Sequence, residues 1–307
     1  MEEYIIGKTI HENIKTMINN KNLINYSILR LALEIEIEII KLGNSYPKYE
    51  IKCAFPTGIN INDVVAHYTP CKKDKTILNS GDVCKIDYGI SVDGYIYDGA
   101  FTVYIFKEND KLEETKKQLI ECTKDAFESA KKMMKLDQLV GEIGANIEEI
   151  IESYSFKSLH DLCGHQIERY QIHKGLIIPN YDCSELLPDH MKRIKGNSYY
   201  AVEPYASTDS GKTYNNLDIP INHFMLDYNK YTVTDVLNKS LKYKKNDLSK
   251  YEKYNSLCFT PRWLGISHEE FKSEYTKLSP YYLPYPVIME KNGGIVSQYE
   301  ETIYVPL

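Results

Sequence analysis

Residues 83–106 read VCKIDYGISVDGYIYDGAFTVYIF. Val, Ile, Tyr and Phe dominate the stretch, and Asp93-Gly94 interrupts it with the dipeptide that a type I′ hairpin turn prefers, because both central residues must take positive φ. The reading is an antiparallel hairpin. With Asp93 and Gly94 at the turn, Val92 faces Tyr95, and stepping outward brings Asp98 opposite Gly89. Asp87 shares a face with Gly89 by strand alternation, so Asp87 and Asp98 become diagonal neighbours on one side of the hairpin. A one-residue change of register would separate them. Two solvent-facing acids on a sheet edge are the alternative, yet Ile86, Tyr88, Ala100, Phe101 and Val103 mark a buried sheet. Two close carboxylates there repel and are costly to desolvate, and a shared cation removes both costs.

Outward from the hairpin, the chain alternates helical and strand-like text. Ile10, Ile14, Met17 and Ile18 recur at helical spacing, and residues 26–42 run without a breaker up to Gly43. Within that run residues 34–39 alternate Glu and Ile, a strand pattern, but the length and the Leu, Ala and Glu content favour helix. A helix carrying Leu112, Leu119, Ile120, Phe127 and Met134 along one side follows the hairpin, then another ending near Tyr154. Strands are predicted over residues 159–167, 199–203 and 295–305. The Lys-, Tyr- and Asn-rich stretch between His223 and Pro286 reads as a surface insertion without a core of its own. The predicted class is therefore mixed α/β (α+β), in a single domain spanning 1–307 with an insertion at 224–283.

Composition narrows the function. The 307 residues are 43% hydrophobic and 26% charged, enough for one sizeable core. A net charge of -6 and a pI near 5.8 oppose a nucleic-acid coat or an anionic membrane as the main partner. Seven cysteines, an odd number without CxxC spacing, exclude a zinc ribbon and speak against a disulfide framework, so a reducing cytoplasm is expected. No apolar run reaches membrane-span length, and the opening MEEYIIGKTI has no signal-peptide pattern.

Three further residues sit in strand-like text with apolar neighbours: His165 in Cys-Gly-His-Gln, Glu203 in Ala-Val-Glu-Pro and Glu300 in Gln-Tyr-Glu-Glu-Thr. Each alone reads as an ordinary hydrogen-bonded or surface residue. With Asp87 and Asp98 they make four carboxylates and one imidazole, a hard, oxygen-rich set that suits Mn, Fe, Co or a pair of such ions rather than a closed structural zinc. Two-metal hydrolysis is the matching reaction class.

At this point the motifs carry a family resemblance. Phe55-Pro-Thr-Gly58, Ala66-His-Tyr-Thr-Pro70, Lys85-Ile-Asp-Tyr-Gly89, Asp98-Gly-Ala-Phe-Thr102, Gly164-His-Gln-Ile, Tyr170-Gln-Ile-His-Lys-Gly175, Val202-Glu, Asn222-His-Phe-Met225, Arg262-Trp-Leu264, Pro284-Tyr-Pro286 and Gln298-Tyr-Glu300 follow in order. Together they resemble the type 2 methionine aminopeptidases. The resemblance implies the pita-bread fold, two pseudo-symmetric halves of curved antiparallel sheets and flanking helices, with the insertion that separates type 2 from type 1 enzymes. It further implies two divalent ions (Mn, Co or Fe, with Zn also accepted). Asp87 would chelate one, Asp98 and Glu300 would bridge the pair, and His165 and Glu203 would hold the other. Alternation groups Glu300 with Gln298 and Thr302, and Glu301 with Tyr299 and Ile303; the resemblance selects Glu300.

The same resemblance makes His67, His173 and Glu203 catalytic. His67 and His173 would hydrogen-bond the scissile amide and the developing oxyanion, with His67 expected to donate, and Glu203 would pass a proton to the leaving amine. Phe55, Ile172, His223 and Tyr285 would form the methionine pocket, with His67 and His173 also touching substrate. The implied substrate is the amino-terminal Met of nascent chains whose second residue is small. The chain is expected to be a cytoplasmic monomer with no specific nucleic acid and no membrane partner. Its contact with ribosomes is expected to be transient proximity, since the long charged N-terminal extension of many eukaryotic members has no counterpart. Cys163, Glu168 and Glu301 depart from the family pattern, where Asn, Gly and His are usual. Two alternatives remain at this stage: a non-enzymatic pita-bread homologue that binds RNA or protein, and an X-Pro-directed aminopeptidase.

Overall fold

A computed structural model describes residues 1–184, 191–235, 249–278 and 281–307. Helices α1 (Glu2–Asn19) and α2 (Ile28–Gly43) open the chain. Ser27 starts α2, its hydroxyl accepting the Arg30 N–H. Three short strands follow, β1 (Ile51–Cys53), β2 (Gly58–Ile61) and β3 (Val64–Ala66). The decisive stretch forms β4 (Val83–Asp87), β5 (Ile90–Val92), β6 (Tyr95–Tyr97) and β7 (Gly99–Tyr104). Helices α3 (Glu113–Met133) and α4 (Val140–Ser153) come next, then β8 (Lys157–Ser158), β9 (Cys163–Ile167), β10 (Ile177–Pro179), β11 (Ser198–Val202) and β12 (Tyr205–Ser207). The remainder contains β13 (Thr213–Asn216), β14 (Phe224–Leu226), helix His268–Leu278, β15 (Tyr282–Pro284), β16 (Val287–Glu290), β17 (Val296–Gln298) and β18 (Glu300–Val305).

Seven strands pair in the order β10-β9-β11-β18-β7-β4-β2, antiparallel throughout, and carry the site. The hairpin has the predicted turn, with φ 51° at Asp93 and 87° at Gly94. Val92 pairs with Tyr95, and Asp87 with Ala100, so the register holds outward from the turn. The hairpin nevertheless divides between sheets. Its tip, β5 and β6, joins β1, while its base, β4 and β7, enters the large sheet.

Ile10, Ile14 and Ile18 of α1 are buried, as the spacing predicts. In α2 the helical period wins over the Glu-Ile alternation. Ile28, Leu31, Ala32, Ile35 and Ile39 face the core while Ile37 is 63% exposed. Leu119, Phe127 and Met134 are buried beside α3 as expected, but Leu112 lies outside the buried stripe, exposed at the helix start. Two predicted strands are shorter than read. Residues 159–167 hold only β9, and 295–305 breaks at Tyr299 into β17, which pairs with β12, and β18, which enters the large sheet.

The insertion also differs from its reading. Phe224, Leu226, Tyr251, Phe259, Phe271, Tyr281 and Tyr282 form an aromatic cluster of their own. Alternating Tyr and Lys hid this, because the apolar rings are spread between strands and helix with no single period.

Candidate metal centre

Four strands deliver the acids to one place. Ala100 of β7 pairs with Asp87 of β4 on one side and with Glu300 of β18 on the other, so three adjacent strands set the two carboxylates around one small side chain. In the next row Ala201 lies between His165 of β9 and Thr302 of β18. Asp98 is anchored by its backbone: its N–H donates to Thr302 Oγ1 at 2.7 Å, and that hydroxyl donates to Asp98 O at 2.9 Å. Glu203 follows β11 directly. Ligand atoms of Asp98, His165 and Glu300 all lie within 4.8 Å of one another. His165 Nε2 stands 3.7 Å from Asp98 Oδ2 and 3.5 Å from Glu203 Oε1.

Burial pushes all four carboxyls up, Asp98 to about 7, and the neighbouring negative charges add to the rise at Asp87, Glu203 and Glu300. Among the described residues no Lys or Arg forms an ion pair with any of them; the buried Lys85 ammonium instead donates to the Asn62 and Val296 carbonyls. Asp87 Oδ1 is buried without a hydrogen-bond partner. Buried anions without protein cations are expensive. The donor set, oxygen-rich with one neutral imidazole, therefore fits divalent cations, and Asp87, Asp98, His165, Glu203 and Glu300 are the residues that would hold them. Gln298 supports the set, its Nε2 donating to Glu300 Oε2 at 3.0 Å. Alternation from Glu300 was a signal for it. Glu301 turns the other way, to the Tyr299 hydroxyl and toward Lys15.

Beside the acids lies a cavity of about 340 Å³, lined by Phe55, His67, Ile172, His173, His223 and Tyr285 as well as all five candidate ligands. Among the walls that the sequence did not single out are Tyr205 and Cys258. Tyr205 favours the charged form of Glu203 against its burial, and Cys258 packs with Phe55, Ile172 and Met225. His223 stacks between Phe55 and Tyr285, with centroids 6.3 and 4.9 Å away. Phe55 is set by Gly89, where a Cβ would come within 2.3 Å of the ring. Cys163 lies at the cavity wall, whereas Glu168 is absorbed in a tight turn with Gln171.

His67 stands in left-handed backbone, φ 68°, just beyond β3, a strained conformation for a residue with a side chain. Its Nδ1 lies 3.1 Å from the Pro286 carbonyl, and burial lowers its pKa to about 4. A carbonyl only accepts, so Nδ1 carries the proton and Nε2 presents a lone pair. In that tautomer a neutral His67 offers an acceptor at Nε2 rather than a donor. His173 faces the cavity mouth with Nδ1 3.2 Å from the Tyr285 hydroxyl, and its ring stands edge-on to His165 at 4.4 Å. Burial and the nearby His67 lower its pKa to about 4.

The metallopeptidase family M24 matches residues 5–230. The methionine aminopeptidase of Thermococcus onnurineus is 34% identical over 281 residues, 90% of this chain and 86% of that protein. This chain belongs to the methionine aminopeptidase family of metal-dependent peptidases. The Pyrococcus abyssi enzyme is likewise 34% identical, over 91% of this chain and 87% of its own. Among solved structures, a methionine aminopeptidase from Thermotoga maritima superposes with a TM-score of 0.65 at 18% identity, covering 99% of this chain and 92% of that one. A thermophilic Arx1 superposes with a TM-score of 0.81 at 16% identity, covering 99% and 88%. The fold of this family member is the pita-bread fold. No helix among the described residues is long and apolar enough to cross a membrane.

Proposed function

We propose that this chain is a type 2 methionine aminopeptidase that hydrolyses the amino-terminal Met from nascent polypeptides with a small second residue. The observation that carries the reading is the adjacency of two chemistries in one cavity: five donors, Asp87 half-buried and the others buried, with which no Lys or Arg among the described residues forms an ion pair, and an apolar cup of Phe55, Ile172, His223 and Tyr285. The aromatic insertion supports type 2. Two divalent ions, Mn, Co, Fe or Zn, are proposed for the five donors; bound there, they supply Lewis acidity toward a carbonyl and toward water.

The protein's own part follows from its atoms. The cup admits an unbranched apolar side chain, which suits the flexible thioether of Met. His67 Nε2 accepts from the scissile amide N–H and so fixes the peptide plane. His173, positioned by the Tyr285 hydroxyl, lies on the carbonyl side. Glu203 can hold a proton and release it to the departing amine nitrogen. We place the activity in the cytoplasm, with a monomer acting near ribosomes.

Hydrolysis of Met-Ala-Ser, Met-Lys-Ser and Xaa-Pro peptides tests the assignment. Met-Ala-Ser should be cut and Met-Lys-Ser cut far more slowly. Equal rates for the two Met peptides contradict the narrow cleft, preference for Xaa-Pro moves the assignment to an X-Pro peptidase, and no cleavage of any peptide moves it to a non-enzymatic binder.

A further inference from the structure

The Arg262 guanidinium lies at the junction of three segments far apart in sequence, and each of its contacts is directed. Its Nη1 and Nη2 donate to the two oxygens of Glu36 on α2 at 2.6 and 2.8 Å. Its Nε donates to Pro70 O at 3.0 Å, and Nη2 also reaches Thr69 Oγ1 at 3.4 Å. Glu36 in turn accepts from Thr57 N at 3.2 Å and from the Trp263 indole N–H at 2.8 Å. Glu36, Thr57, Thr69 and Arg262 are all buried.

What these contacts hold is decided by chain position. Thr57 comes two residues after Phe55, a wall of the side-chain cup. Thr69 and Pro70 come two and three residues after His67, whose strained backbone needs support from its surroundings. The Arg262–Glu36 pair thus grips the backbone just beyond both residues and ties it to the insertion. None of the five candidate ligands is among its partners.

We propose that Arg262 and Glu36 form a positioning pair that sets His67 and Phe55 for catalysis, so that the insertion takes part in shaping the active site. A purely stabilising role is the weaker explanation, because two buried charges can be replaced by apolar residues of similar volume with little or no loss of stability. The pair supplies direction instead. The planar fork satisfies a carboxylate and a carbonyl at fixed angles, which a lysine ammonium cannot reproduce.

The proposal rests on the peptidase reading for its kinetic arm and is independent of it in its spectroscopic arm. Three proteins are compared: wild type, Arg262→Lys, and the double variant Glu36→Leu/Arg262→Met, in which no buried charge is left alone. Thermal melting and metal uptake are recorded first. Then kcat and KM on Met-Ala-Ser are measured, and the His67 tautomer is read by nitrogen-15 NMR. The double variant should stay folded and bind metal as wild type does, yet lose about ten- to a hundredfold in kcat/KM, with the Nδ1–H signal of His67 replaced by a mixture of tautomers. Arg262→Lys should fall between the two. Wild-type kinetics and tautomer in either folded variant overturn the proposal. Unfolding of both variants overturns it as well, since the pair would then hold the body of the molecule. If wild type itself releases no Met, the methionine reading fails, and the tautomer comparison alone decides the positioning role.

Discussion

At the level of single residues, His67 is the clearest case in which chemistry follows from one contact. Facing a carbonyl fixes its proton on Nδ1, and burial keeps the ring neutral near pH 7. His67→Ala should fold and bind metal normally but lose ~10²-fold or more in kcat, as expected for a group that acts mainly in the transition state; metal content by plasma mass spectrometry and steady-state kinetics check both halves. Loss of a metal ion would make His67 a ligand instead. Gly89 offers a second test, because any Cβ there collides with Phe55. Gly89→Ala should cost ~1–3 kcal/mol by overpacking and raise KM for Met peptides, and an unchanged KM would show that Phe55 does not wall the cup.

At the level of elements, the hairpin register and the Glu300 alternation were legible in the sequence because both rest on the two-residue period of a strand and a turn whose chemistry is local. The turn places Asp98 beside Asp87, whereas alternation only separates Glu300 from Glu301 and the family resemblance chooses between them. The boundaries of 159–167 and 295–305 could not be read, since a strand that leaves one sheet for another keeps its alternation while changing partners. Glu36 was illegible for another reason. It sits in the alternating Glu-Ile run, and its partner Arg262 is 226 residues away, a pairing that no local pattern encodes. Thr302 connects strand to site by exchanging two hydrogen bonds with the Asp98 backbone. Thr302→Val leaves a buried N–H and C=O of Asp98 without these partners and should cost ~1–3 kcal/mol, seen as a lower denaturation midpoint together with weaker metal binding. A variant with unchanged metal affinity would mean that Asp98 is held by the sheet alone.

At the level of the whole molecule, the N-terminal helix is locked to the site sheet through His11. Its ring is fully buried, stacks on Tyr88 at 4.6 Å and fills the space left by Gly99, next to Asp98. Burial, with a smaller push from Lys15, lowers its pKa from 6.5 to about 3. Between those two values the unfolded chain binds a proton that the folded chain refuses, so His11 lowers stability as pH falls from about 6.5 to about 3, with no further change below that. His11→Asn should lose stability at neutral pH but show a flatter decline on acidification; parallel curves for variant and wild type would assign the acid sensitivity to other groups. The helices, the α/β class and the metal-suited donor set were all readable from periodicity and residue type. The cup was not, because Phe55, Ile172, His223 and Tyr285 meet only when both halves and the insertion fold together, and family resemblance alone had grouped them. The central claim is that the converging carboxylates exist to hold divalent cations that methionine release requires. Its most direct test follows methionine release from Met-Ala-Ser by chelator-treated protein before and during titration with Mn²⁺: release should be absent without metal and return as the ion is added, whereas full release after verified metal removal would contradict the claim.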